Sequence, residues 1–273
     1  MQTLKKFYFG KQKAKVNTYI GGIGGTINTP ALLASRLGIA ENRIKLFKVT
    51  GVDVECAVIG GSYHIPSNAF QDNTFIKFYN DPTNIVSSIG SNAFKNCTSL
   101  TSIQIKLSGV LNASVFENTR LVTIDLTDVT MIMGNVFAYV STLTGHLIAN
   151  NCTSVANGAF YNTKIQSFTA IECINIGNVA FFGCSQCTTY NLPELLILGD
   201  SSVFQGNINV VSVYIPKVNR IGLSNTIYNQ IFKDIKTNCS ITVPLAMSTI
   251  NAGGVEPDIS YAITSRAAII TYV

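Results

Sequence analysis

Ile89-Gly90-Ser91-Asn92-Ala93-Phe94-Lys95-Asn96-Cys97-Thr98-Ser99-Leu100-Thr101-Ser102-Ile103-Gln104-Ile105 is the stretch whose reading decides the fold. Its first six residues return as Ile65-Pro66-Ser67-Asn68-Ala69-Phe70, as Val155-Ala156-Asn157-Gly158-Ala159-Phe160 and as Ile176-Gly177-Asn178-Val179-Ala180-Phe181. Registered on the phenylalanine, the phrase has seven copies, anchored at Phe70, Phe94, Phe116, Phe137, Phe160, Phe181 and Phe204, with spacings of 24, 22, 21, 23, 21 and 23 residues. A fixed period of about 22 residues is the signature of stacked repeats rather than of a closed core.

The register fixes other columns. Five residues before the anchor stand Ile65, Ile89, Leu111, Ile132, Val155 and Ile176, with Leu198 shifted by one in the last copy. Two residues before it stand Asn68, Asn92, Ser114, Asn135, Gly158, Val179 and Ser202, mostly turn formers, so the chain turns tightly there. Five or six residues after it, Ile76, Leu100, Leu121, Leu143, Ile165, Cys187 and Val210 open a short strand. Leu100–Ile105, Leu121–Leu126 and Val210–Ile215 are the clear copies, with their first, fourth and sixth residues pointing inward. One coil cannot bury both of its apolar faces, so coils stack and bury Phe on Phe and Leu on Leu.

This pattern resembles the BspA-like (Treponema-type) leucine-rich repeat family, on the strength of residues 89–105, and the resemblance runs over roughly 62–240. It implies a mainly β, right-handed solenoid of seven to eight repeats with a parallel sheet along one face. The sequence departs from the pattern where Ile, Val or Cys replaces Leu, and at His146, which stands where the fourth repeat calls for an apolar strand residue. A one-residue irregularity is expected there.

Around the repeats, residues 1–28 read as a basic, glycine-containing arm and 29–61 as an N-terminal cap of helix and strands. Thr29 suits a helix cap, Pro30 a first turn and Gly38 a stop, with Leu32, Leu33 and Leu37 as the apolar face. Residues 62–240 are the solenoid, with Phe232 as a displaced further anchor, and 241–273 are a C-terminal β cap or partner-binding module ending in a strand at 267–273.

Charged residues make up 12% and apolar residues 47%, which excludes a disordered chain. No apolar run is long enough for a membrane span. The net charge of +5 is uneven: residues 1–50 hold nine Lys or Arg against one acid, Glu41, and the remainder is slightly acidic. Lys5, Lys6, Lys11, Lys13 and Lys15 make the arm a candidate anchor to an acidic surface. No nucleic-acid motif accompanies them, and the Gly21–Gly25 cluster lacks the Lys-Ser/Thr of a phosphate loop. Lys11, Lys13 and Lys15 stand where a secretory leader would have its apolar core, so export by that route is not expected.

Catalytic and metal chemistry find little support. Cys184-x-x-Cys187 invites a zinc or redox reading, but Cys184 stands in the column of Asn73, Cys97 and Asn207, and Cys187 in the leucine column. Both are therefore expected in the core, and the seven cysteines to be free thiols. His64 and His146 have no carboxylates at fixed spacing. Neither an enzyme, a cofactor nor a metal is expected.

The open sheet face remains as a binding surface, with Gln104, Asp125, Thr169, Asn191 and Tyr214 as its candidate residues among other hydroxyls and amides. The first functional expectation is a bacteriophage virion-associated fibre or adhesin. It would attach to other virion proteins through the arm, recognise a host-surface protein or glycan, and work as a homo-oligomer or within a larger assembly. That reading is analogy by fold. A bacterial surface adhesin and an intracellular interaction scaffold are the alternatives.

Overall fold

The computed structural model describes residues 29–50, 53–58, 61–81, 85–221, 230–248 and 256–273, without the side chains of 45–57. The arm at 1–28, the glycine turn at 251–254 and most of the phrase at 221–225 lie outside the described residues.

Helix α1 spans Pro30–Leu37. The Thr29 hydroxyl accepts the Leu32 N–H at 3.1 Å, and Gly38 ends the helix at φ 64°. Its buried face is Leu33, Ala34 and Leu37 rather than Leu32, which is exposed. Arg36 donates to the Ala69 carbonyl at 3.1 Å and so ties the helix to the first anchor turn. Strands β1 (Ile44–Thr50) and β2 (Asp53–Val58) pair as an antiparallel hairpin.

The following coils place their strands on two faces. The back face holds β3 (Tyr63–Ile65), β5 (Val86–Ile89), β7 (Ser108–Leu111), β8 (Asp128–Ile132), β10 (Ser154–Val155), β12 (Asn175–Ile176), β14 (Ile197–Leu198) and β16 (Arg220–Ile221). The front face holds β4 (Phe78–Asn80), β6 (Ser102–Gln104), β9 (His146–Ile148), β11 (Ser167–Thr169), β13 (Thr189–Asn191), β15 (Ser212–Tyr214), β17 (Ser240–Val243) and β18 (Ile269–Tyr272). Apart from β1–β2, every pair is parallel.

The anchors make one continuous ladder. Successive ring centroids from Phe70 to Phe232 lie 5.0–6.0 Å apart, and the rings stack nearly parallel, at 3–21° to one another. Each anchor N–H donates to the carbonyl just before the next anchor: Phe70 to Ala93, Phe94 to Val115, and so on to Phe204 with Ile231, at 2.8–3.1 Å. Phe232 is thus the displaced anchor that the spacing predicts.

The turn chemistry is two-sided. The residues two before each anchor have φ between 49° and 64°, as expected, but the residues two after it are left-handed as well. That second column is Asp72, Asn96, Asn118, Tyr139, Asn162, Gly183, Gly206 and Asp234, with φ of 55–77°. Asn, Asp and Gly tolerate this region best. Their amides also bond from coil to coil: Asn96 donates to Asp72 at 2.8 Å and Asn118 to Asn96 at 3.0 Å. In the same column a Cβ on Gly183 would meet the Asn162 Oδ1 at 2.0 Å, so glycine there leaves room for the neighbouring amide.

The front face is interrupted once. The expected strand at Leu121–Leu126 does not form, and the face divides into β1-β2-β4-β6 and β9-β11-β13-β15-β17-β18. Two local features account for the break. The Asp125 carboxylate accepts the Thr127 N–H at 2.9 Å and its hydroxyl at 2.6 Å, an Asx turn that competes with ladder bonding. In the next coil Gly145, at φ 92°, is an extra residue, so Leu147 rather than His146 stands opposite Phe168. This is the irregularity expected at His146.

The C-terminal cap contains a helix that the sequence reading lacks. Helix α2 spans Pro257–Arg266 and stands where the next coil's anchor turn would be. Asp258 accepts the Ile231 N–H at 2.8 Å, while Arg266 donates to the Ile235 carbonyl through Nε at 2.7 Å. Side chains of one helix thereby serve both sides of the Phe232 turn.

Candidate binding surface

Three of the five candidate residues form one row. Thr169, Asn191 and Tyr214 are register partners on β11, β13 and β15, and the row continues to Ile148 on one side and Thr242 on the other. A second row runs parallel to it through His146, Ser167, Thr189, Ser212 and Ser240. Side chains alternate across a strand, so Leu147, Phe168, Tyr190 and Val213 between the two rows point inward and are buried. Neighbouring strands set the spacing of residues along each row at about 4.8 Å.

Tyr214 is 41% exposed and Ile148 57% exposed. An aromatic and an aliphatic side chain therefore stand among hydroxyls and amides. His146 Nδ1 lies 2.8 Å from the Ser167 hydroxyl. Among the described residues no carboxylate hydrogen-bonds to His146, so the pair lacks the third member that orients a catalytic histidine. Sequence reasoning left His146 and Ile148 out of the surface because the inserted Gly145 shifts the strand's phase.

The other two candidates lie elsewhere. Gln104 is exposed but belongs to the N-terminal part of the divided face, opposite Asn80. Asp125 lies in the gap, its carboxylate occupied by Thr127, and these hydrogen bonds lower its pKa. Several front-face hydroxyls are also spent within the stack: Thr101 donates to the Lys77 carbonyl and Thr188 to the Gln166 carbonyl.

Cys184 and Cys187 are buried, as the column register requires. The Cys184 thiol donates to the Phe160 carbonyl at 3.1 Å, just as Cys97 donates to Phe70 and the Asn207 amide to Phe181. The column thus supplies a polar side chain to the carbonyl of the preceding anchor. Burial pushes the thiol of Cys184 up to about 12 and that of Cys187 to about 11. Tyr190, packed at a tilt against Phe181 and Phe204, donates its buried hydroxyl to Asn207 at 2.6 Å. Among the described residues, no three His, Cys, Asp or Glu side chains group as metal ligands, and no helix is long and apolar enough to cross a membrane.

A two-faced stack of about 22-residue coils with an anchor ladder and a parallel front sheet defines a leucine-rich-repeat solenoid. The chain belongs to the BspA type leucine rich repeat family, which matches it in six copies over residues 63–174 and 170–254. Among solved structures, the chain is similar to a leucine-rich repeat protein of T. pallidum, at 20% identity and a TM-score of 0.48, over 60% of this chain and 87% of that one. It is also similar to a leucine rich cell surface protein of Faecalibacterium prausnitzii, at 17% identity and a TM-score of 0.42, over 83% of this chain and 86% of that one. A leucine-rich repeat protein of Bacteroides ovatus aligns at 18% identity and a TM-score of 0.44, over 75% of this chain and 58% of that one. No curated protein matches the chain.

Proposed function

We propose that this chain is a non-enzymatic recognition protein whose ligand surface is the front sheet from β9 to β15. The observation that carries the reading is the in-register pair of rows, with Thr169, Asn191 and Tyr214 in one and His146, Ser167, Thr189 and Ser212 in the other. A rigid sheet holds these groups at fixed spacing, so little entropy is lost when they bind. Amides and hydroxyls beside an exposed tyrosine suit a polar ligand with apolar patches, which describes a host-surface glycan or protein.

Two carriers fit that role. The first is a bacteriophage virion, in which the arm with Lys5, Lys6, Lys11, Lys13 and Lys15 would join the repeats to other virion proteins. The second is a bacterial surface, with the chain acting as an adhesin. Membership in the BspA-type family supports recognition without choosing between them.

The test is binding of the full chain to glycan arrays and to bacterial cells, alongside the Tyr214→Ala and Asn191→Lys variants. Binding by the parent chain, reduced at least tenfold in both variants with unchanged thermal melting, is expected. Binding that both substitutions leave intact would place the ligand elsewhere, and no binding to either panel would remove the recognition reading.

A further inference from the structure

Among the described residues, the front sheet has one edge that no strand covers. Strand β18 pairs with β17 in parallel register, from Ser240 with Ile269 to Val243 with Tyr272, and is the outermost strand of its sheet. The N–H groups of Ile269 and Val273 are directed to the carbonyls of Cys239 and Val243. Those of Ile270 and Tyr272 therefore face the other way. Among the described residues no strand or loop hydrogen-bonds to that side.

The side chains tell the same story. In the preceding front strands the inward residues Leu147, Phe168, Tyr190, Val213 and Ile241 are buried, whereas Ile270 and Tyr272 are only half-buried. Among the described residues, the inward column is thus only partly covered at this strand. Leu245, Ile269 and Val273 are 64%, 60% and 60% exposed, the three highest values for large hydrophobic residues among those described. Leu245 and Val273 adjoin, since the Leu245 N–H donates to the Val273 carbonyl at 2.8 Å.

Edge strands are normally protected by charge, proline or a bulge. The other end of the front face follows that rule: β1 has a register irregularity between Ile44 and Leu46. Residues 268–273, Ala-Ile-Ile-Thr-Tyr-Val, have none of these devices.

We propose that β18 is the seam of a homodimer, in which a second copy adds its own β18 antiparallel across a two-fold axis at Thr271. That register is self-complementary. The outward N–H and C=O groups of Ile270 and Tyr272 bond reciprocally with the partner's Tyr272 and Ile270. On the exposed side Ile269 meets the partner's Val273, and no like charges are brought together. A two-fold interface needs this kind of self-complementarity, and an uncharged strand offers little for a partner of matching charge to recognise. Pairing also buries the half-exposed Ile270 and Tyr272 and joins the two front faces in one continuous sheet.

Sedimentation velocity of the full chain across a range of concentrations, with Thr271→Lys and Thr271→Asp variants, tests the seam. Thr271 is exposed, so neither variant disturbs the fold, and thermal melting checks this. The parent chain is expected to sediment as a dimer and each variant alone as a monomer, because like charges then meet on the axis. An equal mixture of the two variants is expected to recover the dimer. A parent chain that stays monomeric, or a Thr271→Lys chain that stays dimeric, overturns the proposal.

Discussion

Phe137 lies between Phe116 and Phe160, with ring centroids at 5.7 and 5.2 Å, and it has no exposed surface. Both neighbours are held in their own coils and cannot move in to fill a void. Phe137→Ala should therefore cost about 3–5 kcal/mol, measured by urea denaturation. A loss well below that range would contradict the anchor register. Cys184 and Cys187, with thiols raised to about 12 and about 11, should resist a thiol-specific reagent at pH 8 in the native protein and react on denaturation. Rapid labelling of either thiol in the folded chain would contradict their core placement. These positions were legible in the sequence because they repeat one residue type, or one size class, at a fixed distance from Phe. The second left-handed column was not, although Asn96, Asn118 and Asn162 hinted at it, because Tyr139 breaks the chemistry that would have marked it.

At the scale of the element, periodicity predicted strands that local interactions then modified. Leu121–Leu126 has the right apolar spacing, yet Asp125 turns the chain by bonding Thr127, and a spacing rule does not weigh that competition. Helix α2 was missed for a related reason. Only Asp258, Ile259 and Ala262 are buried along it, so its sequence shows no clear apolar stripe. Pro257 at its first position was the available signal, but Glu256 is not among the favoured caps. The Glu256 carboxylate accepts the Ile259 N–H at 2.9 Å, and burial, reinforced by nearby Asp258, pushes its pKa up from 4.5 to about 8. Between these values the folded chain binds a proton that the unfolded chain has released. The resulting stability is complete below about pH 4.5 and lost as the pH rises through about 8. Thermal melting should therefore fall between pH 5 and pH 8.5, and the fall should be smaller in Glu256→Gln. Identical pH profiles for the two proteins would rule out this contribution.

For the whole molecule, the repeat register and the coil order followed from one phrase read at its period. The surface did not follow as completely. Thr169, Asn191 and Tyr214 came together because each stands four residues after the apolar residue that opens its strand, Ile165, Cys187 or Val210. Gln104 and Asp125 did not join them, because continuity of a face depends on every intervening coil forming its strand. A single inserted glycine and a single Asx turn were enough to divide it.

The ladder that joins Phe70 to Phe232 has a mechanical consequence. The bonds between coils run along the stack, so a pull on its two ends loads them one coil at a time instead of all together. Each coil that peels away releases about 22 residues, or roughly 75 Å of extended chain, in exchange for about 5 Å of stack. Single-molecule stretching should show successive increments near 70 Å, and one abrupt release of the whole stack would contradict it. Tethered at both ends, the solenoid would yield by lengthening in steps, dissipating load while the coils not yet peeled stay folded.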